Sequence, residues 1–390
     1  MLSGVRLRTP PAKLAGEETA DMTKETGRAM VWTAINTPLE PREYPLPEVD
    51  DDAMLVRITM ACICGSDLHS YKGEYVGRLK PTKEKPLIMG HEMSGRIYKM
   101  GRNVKTDYLG RPLEEGDRII YAYFNPCGKC PECVSGTAPC PNRHRFRKSS
   151  EDFPHFRGAY AEYYYLKGDQ WVFKVPDELP DETVAPINCA MSTVAYGMHQ
   201  VRIPLGGTVL VQGAGGLGLS ATAIAREMGA AQIIVLDKLP QRLELSKSFG
   251  ADHTIDVGEY STAEARLERV RKLTGGKGVD LAIEVTGRPE VVAEGLDMLC
   301  PAGTYLTMGL VTGGLISPID MERVIHKGLT IIGSGNYKSW VLPKVLDMLV
   351  RTKDKYPFDK LVSHKFKLED VNEGIRKSIA GEVIRAGIVP

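Results

Sequence analysis

The sequence predicts an α/β protein of two domains, a doubly wound parallel sheet joined to a mainly antiparallel β half. Three observations predict it. The chain has 390 residues, more than one ordinary hydrophobic core accommodates, so it divides. Before about Met191 short alternating runs are separated by turns, whereas beyond it strand-like runs alternate with helical ones. Near the start of that second rhythm a glycine-rich turn stands between a strand pattern and a helix pattern, as in parallel βαβ units.

Taken in order, residues 1–29 mix Arg6, Arg8, Lys13, Lys24 and Arg28 with Glu17, Glu18, Asp21 and Glu25. With no apolar run and no shortage of acids, this reads as a disordered extension, not as a secretory or transit signal. Pro38, Pro41, Pro45 and Pro47 break up the entry to the β half. Then Met54, Val56, Ile58 and Met60 alternate with Leu55, Arg57 and Thr59, the period of a half-buried strand. Residues 117–122 and 161–166 read as further strands. In the parallel half the strands fall at 208–212, 232–236, 253–257, 280–285, 304–308 and 329–332, with helices such as 217–228 and 241–249 between them. Residues 366–390 return to short mixed elements, expected to rejoin the first half. The expected division is an extension (1–29), a β domain (30–190), a parallel domain (191–334) and a C-terminal return (335–390).

Composition narrows the function. Fifty basic residues balance forty-nine acidic ones, so no global field attracts nucleic acid or an anionic membrane, and neither partner is expected. Residues 203–225 carry no charge, but six glycines, Pro204 and Gln212 make a poor membrane span. A cytoplasmic protein is expected. Eight cysteines there argue for metal ligands and against a disulfide framework.

The glycine turn is Gly213-Ala-Gly215-Gly216-Leu217-Gly218. The first glycine permits a tight turn, the second lets backbone approach a pyrophosphate, and the third allows close helix–strand packing. Asp237 ends the next strand 19 residues beyond Gly218, where a carboxylate accepts ribose hydroxyls. It also repels a 2′-phosphate, so NAD is expected over NADP, with nearby Lys238 and Arg242 able to soften the choice.

Cys127, Cys130, Cys133 and Cys140 lie within fourteen residues. Four thiolates close a tetrahedral zinc without an open position, which makes a structural site, and Lys129 favours the thiolate. Cys64, His91 and Cys189 form a dispersed set. Two sulfurs and an imidazole leave a fourth position for a reactant, but no spacing rule joins the three. Taken singly, a cysteine such as Cys189 is more often a small core residue and a histidine such as His91 more often an ordinary polar contact.

These pieces resemble a zinc-dependent alcohol dehydrogenase of the medium-chain dehydrogenase/reductase superfamily, from about Arg28 to Pro390. The likeness is carried by Cys64-Gly-Ser-Asp-Leu-His69, Gly90-His-Glu92, the four-cysteine loop, Cys189-Ala-Met-Ser-Thr193, the glycine turn with Asp237, the segment 278–287 and Gly381-Glu-Val-Ile-Arg385. The resemblance implies a Rossmann domain inserted in a GroES-like β domain, NAD, and two zinc ions per chain. It implies that Cys64, His91 and Cys189 hold a catalytic zinc with Glu92 as a transient ligand, while Asp67 orients His91. It further implies a proton relay through Ser66 and His69, Thr193 beside the nicotinamide, and Arg385 at the pyrophosphate. An alcohol or carbonyl substrate and a homodimer or homotetramer follow from the same likeness.

Two departures stand out. Six residues separate Cys133 from Cys140 where the family commonly has seven, and the 29-residue extension has no counterpart. Polyol dehydrogenases often carry Glu where Cys189 stands, so Cys189 leans towards alcohol dehydrogenases proper. A zinc-free enoyl or quinone reductase and a non-enzymatic relative are the alternatives. Basic residues 143–157, including Arg143, Arg145, Arg147, Lys148 and Arg157, read as a solvated loop or as a cation source for a polar substrate.

Overall fold

The computed structural model describes residues 25–75, 80–124, 126–127, 129–135, 140–141, 148–168, 170–309 and 312–390. The first strand, β1 (Thr26–Trp32), pairs antiparallel with β2 (Glu40–Pro45). Residues 26–29, assigned from the sequence to the extension, are therefore part of the sheet. Gly27 and Ala29 face inward there, and such small side chains leave little apolar signal.

Next come β3 (Met54–Cys62), helix α1 (Gly65–Tyr71), β4 (Leu87–Ile88), β5 (Glu92–Met100) and β6 (Arg118–Tyr121). After them lie α2 (Pro131–Ser135), β7 (Tyr163–Leu166), β8 (Val172–Lys174) and α3 (Asp181–Val184). In β3 the expected alternation holds at Arg57, which is exposed, but Leu55 is buried as well. The reverse face of the strand is covered too, and Leu55 packs with Ile88, Phe156, Tyr163 and Tyr165.

A π-helical turn, Ile187–Met191, leads into α4 (Ser192–His199) and the parallel half. There β9 (Thr208–Gln212), α5 (Gly216–Glu227), β10 (Gln232–Asp237), α6 (Pro240–Ser248), β11 (His253–Asp256) and α7 (Ala263–Leu273) follow one another. They are succeeded by β12 (Val279–Glu284), α8 (Glu290–Met298), β13 (Leu299–Thr307), α9 (Met321–Lys327) and β14 (Thr330–Gly333). The six strands form one all-parallel sheet in the order β11-β10-β9-β12-β13-β14. The order reverses direction between β9 and β12, and such a switch point opens a crevice at the strands' carboxyl ends. The uncharged stretch 203–225 is divided between β9 and α5. Among the described residues no helix is long and apolar enough to cross a membrane.

The chain then returns through α10 (Val341–Thr352), β15 (His364–Lys367), α11 (Val371–Ala380) and β16 (Ala386–Val389). Strand β16 pairs antiparallel with β3, Gly387 opposite Cys62, and joins the sheet β15-β16-β3-β5-β6-β8. Helix α10 buries Val341, Leu342, Val345, Leu346 and Leu349. They share one cluster with Phe173 and Leu179 of the β half and with Leu219 and Phe249 of the parallel half. At roughly 1.5–3 kcal/mol per fully buried aliphatic side chain, this shared core holds the two halves together beside the crevice.

Candidate active site and metal centres

Three separate elements bring the dispersed ligands together. Cys64 caps α1 just beyond β3, and His91 immediately precedes β5. Because Cys62 stands opposite Glu92 in the β3–β5 ladder, both ligands leave the same end of the sheet. Cys189 lies in the π-helical turn, which is tied to β5 from both sides. The Met93 amide donates to Asn188 Oδ1 at 3.2 Å, and the Ala190 amide donates to Glu92 Oε1 at 3.2 Å. The ligand atoms of Cys64, His91 and Cys189 lie within 4.8 Å of one another, all on buried residues.

Electrostatics favour a metal here. Asp67 Oδ1 accepts from His91 Nδ1 at 3.0 Å, which turns Nε2 towards Cys189 Sγ, 3.2 Å away. Burial lowers the imidazole pKa, but the Asp67 carboxylate outweighs it and holds the pKa well above the usual value. The Cys189 sulfur, assisted by His91, holds the Cys64 thiol well below its ordinary range. Cys189 is raised in turn, first by that same contact and then by burial. A thiolate, a second sulfur that shares its proton and an oriented imidazole are a donor set that fits zinc.

Ser66 is brought to the cluster, its Oγ 3.3 Å from His91 Nε2. His69, one turn further along α1, is half-exposed and hydrogen-bonds Glu74 through Nδ1. Glu92 is fully buried and paired with the Arg385 guanidinium. Burial pushes its carboxyl up against the pull of that arginine.

Some participants were absent from the sequence reading. The Tyr160 hydroxyl donates to Asp67 Oδ2 at 3.1 Å, and the Tyr123 ring lies 4.7 Å from the His91 ring with its hydroxyl 3.8 Å from Cys189 Sγ. Phe124 and Tyr337 continue that aromatic wall, their ring centres 4.8 Å apart. Tyr123 stands four residues before Cys127, and nothing in that spacing points to residue 91.

In the four-cysteine loop all four sulfurs also lie within 4.8 Å of one another. The shorter spacing between Cys133 and Cys140 thus still converges. Cys127 is pulled down to about 6, first by the backbone amide of Lys129. The lysine's main chain, not the ammonium expected from the sequence, supplies that effect. Burial pushes Cys130 up. Of the basic segment, Arg143, Arg145 and Arg147 fall outside the described residues. Arg157 is half-buried and donates to the Phe153 carbonyl at 2.5 Å, whereas Lys148 is exposed.

The glycine turn opens α5 at the switch point. Gly213 takes φ of +103°, and a side chain at Gly218 would begin 1.8 Å from the Gly213 carbonyl oxygen. Arg385 crosses from the β half to Gly216, where its guanidinium nitrogen lies 2.6 Å from the place a side chain would begin. Its Nε is buried and unpartnered, at the amino end of a helix suited to a phosphate. Asp237 accepts the Ala214 amide at 2.6 Å and the Leu239 amide at 2.9 Å. It therefore braces the turn, and each oxygen keeps a lone pair for a ribose. Arg242 donates to the Val383 carbonyl at 3.1 Å close to Gly215, while Lys238 is exposed. Leu217 packs on the parallel core, and Thr193 sits half-buried in the first turn of α4.

Comparison with known proteins agrees with this architecture. The family described as alcohol dehydrogenase GroES-like domain matches residues 50–177, and that described as zinc-binding dehydrogenase matches residues 216–351. The chain is 31% identical over 360 residues to a 5-exo-hydroxycamphor dehydrogenase of Pseudomonas putida, covering 92% of this chain and 97% of that one. It is 29% identical to an L-threonine 3-dehydrogenase of Bacillus subtilis, covering 89% and 94%. A crystal structure of an alcohol dehydrogenase from Thermotoga maritima superposes with a TM-score of 0.86 at 29% identity, covering 94% of this chain and 100% of that one. The chain belongs to the zinc-dependent alcohol dehydrogenases of the medium-chain dehydrogenase/reductase superfamily, oxidoreductases that act on CH–OH groups.

Proposed function

We propose that the protein reversibly oxidises an apolar secondary alcohol to a ketone, with NAD as acceptor and two zinc ions per chain. The observation that carries this reading is the meeting of Cys64, His91 and Cys189, backed by Asp67, beside the crevice that Arg385 links to the glycine turn. When bound, zinc supplies a Lewis acid that acidifies an alcohol hydroxyl, and nicotinamide supplies the hydride acceptor. Ser66 Oγ would accept the hydroxyl proton while passing its own on, through the ribose of a bound cofactor, to His69 at the solvent end of α1, which exchanges it with water. Asp67 keeps His91 in one tautomer, and Glu92 is the transient ligand held in reserve by Arg385. The four-cysteine loop holds the second zinc.

Asp237 supports NAD over NADP, since a 2′-phosphate would meet its charge. Tyr123, Phe124 and Tyr337 support an apolar substrate, because none of the three carries a charge to pair the carboxylate of an amino acid. Hydroxycamphor and threonine, named for two of the relatives, are secondary alcohols. Self-association is supported by β14 at the sheet edge, where Ile331 is exposed, and by exposed Ile316 and Ile325 in the segment that leads into it. Eight cysteines, none of them in a disulfide among the described residues, suit a reducing cytoplasm. Elemental analysis together with a panel of cyclic secondary alcohols, ethanol, sorbitol and threonine, each with NAD and NADP, tests the reading. Two zinc ions and fastest NAD reduction by a cyclic secondary alcohol are expected. One zinc or none in unchelated protein, or faster NADP reduction, overturns it.

A further inference from the structure

His69 stands at the outer end of the relay along α1, and its ring is held from one side. Ser66 and His69 are three residues apart in the helix and so share a face. The helix ends at Tyr71, whose carbonyl accepts the Asn36 amide at 2.9 Å, which ties that end to the loop after β1. Gly73 then turns the chain back with φ of +75°, so close to Ile35 that a side chain there would begin 2.8 Å from Ile35 Cδ1. The turn delivers Glu74 to the histidine. The Glu74 amide donates to the His69 carbonyl at 3.0 Å, and Glu74 Oε2 is hydrogen-bonded to His69 Nδ1. The other oxygen, Oε1, lies 4.0 Å from the Lys72 ammonium. The Tyr75 ring stands edge-on to the imidazole, with ring centres 6.1 Å apart.

A carboxylate only accepts, so the proton of that bond belongs to Nδ1. The hydrogen bond at one ring nitrogen decides the state of the other, and Nε2 is therefore left with its lone pair. Among the described residues nothing hydrogen-bonds His69 Nε2. A bare nitrogen is what the last member of a relay needs, because an Nε2–H has no lone pair for an incoming proton. We infer that Glu74 is a positioning residue for the relay: it holds His69 as the Nδ1–H tautomer and leaves Nε2 to receive the proton that leaves the alcohol. Nε2 takes that proton while Nδ1 keeps its own. The imidazolium then gives the Nε2 proton to water, which restores the starting tautomer. Glu74 itself touches no reactant.

The inference rests on the proposed alcohol oxidation through Ser66 and His69, and not on which alcohol reacts. The test is two-bond proton–nitrogen correlation NMR of zinc-loaded protein carrying isotope-labelled histidine, with the His69 signals identified by their loss in His69→Gln. It is joined to steady-state kinetics on the alcohol that the wild type oxidises fastest. The wild type should show Nδ1 protonated and Nε2 bare. Glu74→Leu, which removes the acceptor, should move the proton to Nε2, lower kcat about ten-fold and leave KM for NAD unchanged. Glu74→Gln can present either its oxygen or its NH2 to Nδ1, so its rate should follow whichever tautomer it shows. An unchanged tautomer or an unchanged kcat in Glu74→Leu overturns the inference, as does a full rate from a Glu74→Gln protein in the Nε2–H form. If His69→Gln oxidises the alcohol at the wild-type rate, or the wild type oxidises none, the relay reading itself fails and the inference falls with it.

Discussion

Asp67 makes three hydrogen bonds that one carboxylate alone can make together. Oδ1 accepts from His91, while Oδ2 accepts the Cys64 amide at 3.0 Å and the Tyr160 hydroxyl. It thus fixes one metal ligand by its ring and another by its backbone. Asp67→Asn should lower zinc affinity at this centre about 10–100-fold, measured as faster loss to a chelator, with the four-cysteine zinc retained. Asp237 has a comparable double task. Asp237→Gly should raise the Michaelis constant for NAD on the order of ten-fold and improve use of NADP, since it removes both a ribose acceptor and a repelling charge. Because the same carboxylate braces Ala214, some of that loss should also appear as a lower melting temperature. A wild type that already prefers NADP contradicts this account of Asp237.

At the scale of elements, the four-cysteine loop depends most on its metal. Its helix α2 has five residues, too few to persist without tertiary support. Cys130→Ser should release one zinc and lower the melting temperature by roughly 5–10 °C, followed by calorimetry with metal analysis. A full zinc complement or an unchanged melting temperature removes the structural role. The parallel half was the most legible part of the sequence. Strand β9 spans the expected 208–212, and β10, β11, β12 and β14 fall within one residue of expectation. Their partners are formed by a repeating local rhythm, so periodicity reports them. Strand β13 begins at Leu299, earlier than the expected 304, because pairing with β12 shifts register after Val279 and carries the strand past Pro301 and Gly303. Composition marks those two residues as breakers, and only the neighbouring strand shows them tolerated.

For the whole molecule, the described β half opens with β1, paired along its length with β2 and at Val31 and Trp32 with β4. A chain that starts at Met22 should keep activity, both zinc ions and oligomeric state. Loss of any of these on truncation refutes dispensability of residues 1–21. The sequence by itself determined what neighbours in the chain decide: the strand–helix rhythm, the glycine turn, and four cysteines close enough for one ion. It named Cys64, His91 and Cys189 through resemblance, but no spacing rule joined them. Tertiary structure alone decided that His91 and Cys189, 98 residues apart, touch, and that Arg385 reaches Glu92 across 293 residues. The bonds of Tyr160 to Asp67 and of Glu284 to the β13 loop belong to the same class. The physical reason is that such meetings are set by the register of β3 on β5 and of β16 on β3, and by the docking of a π-helical turn. Those pairings join segments far apart in the chain, where no local period or spacing records which residues will face one another.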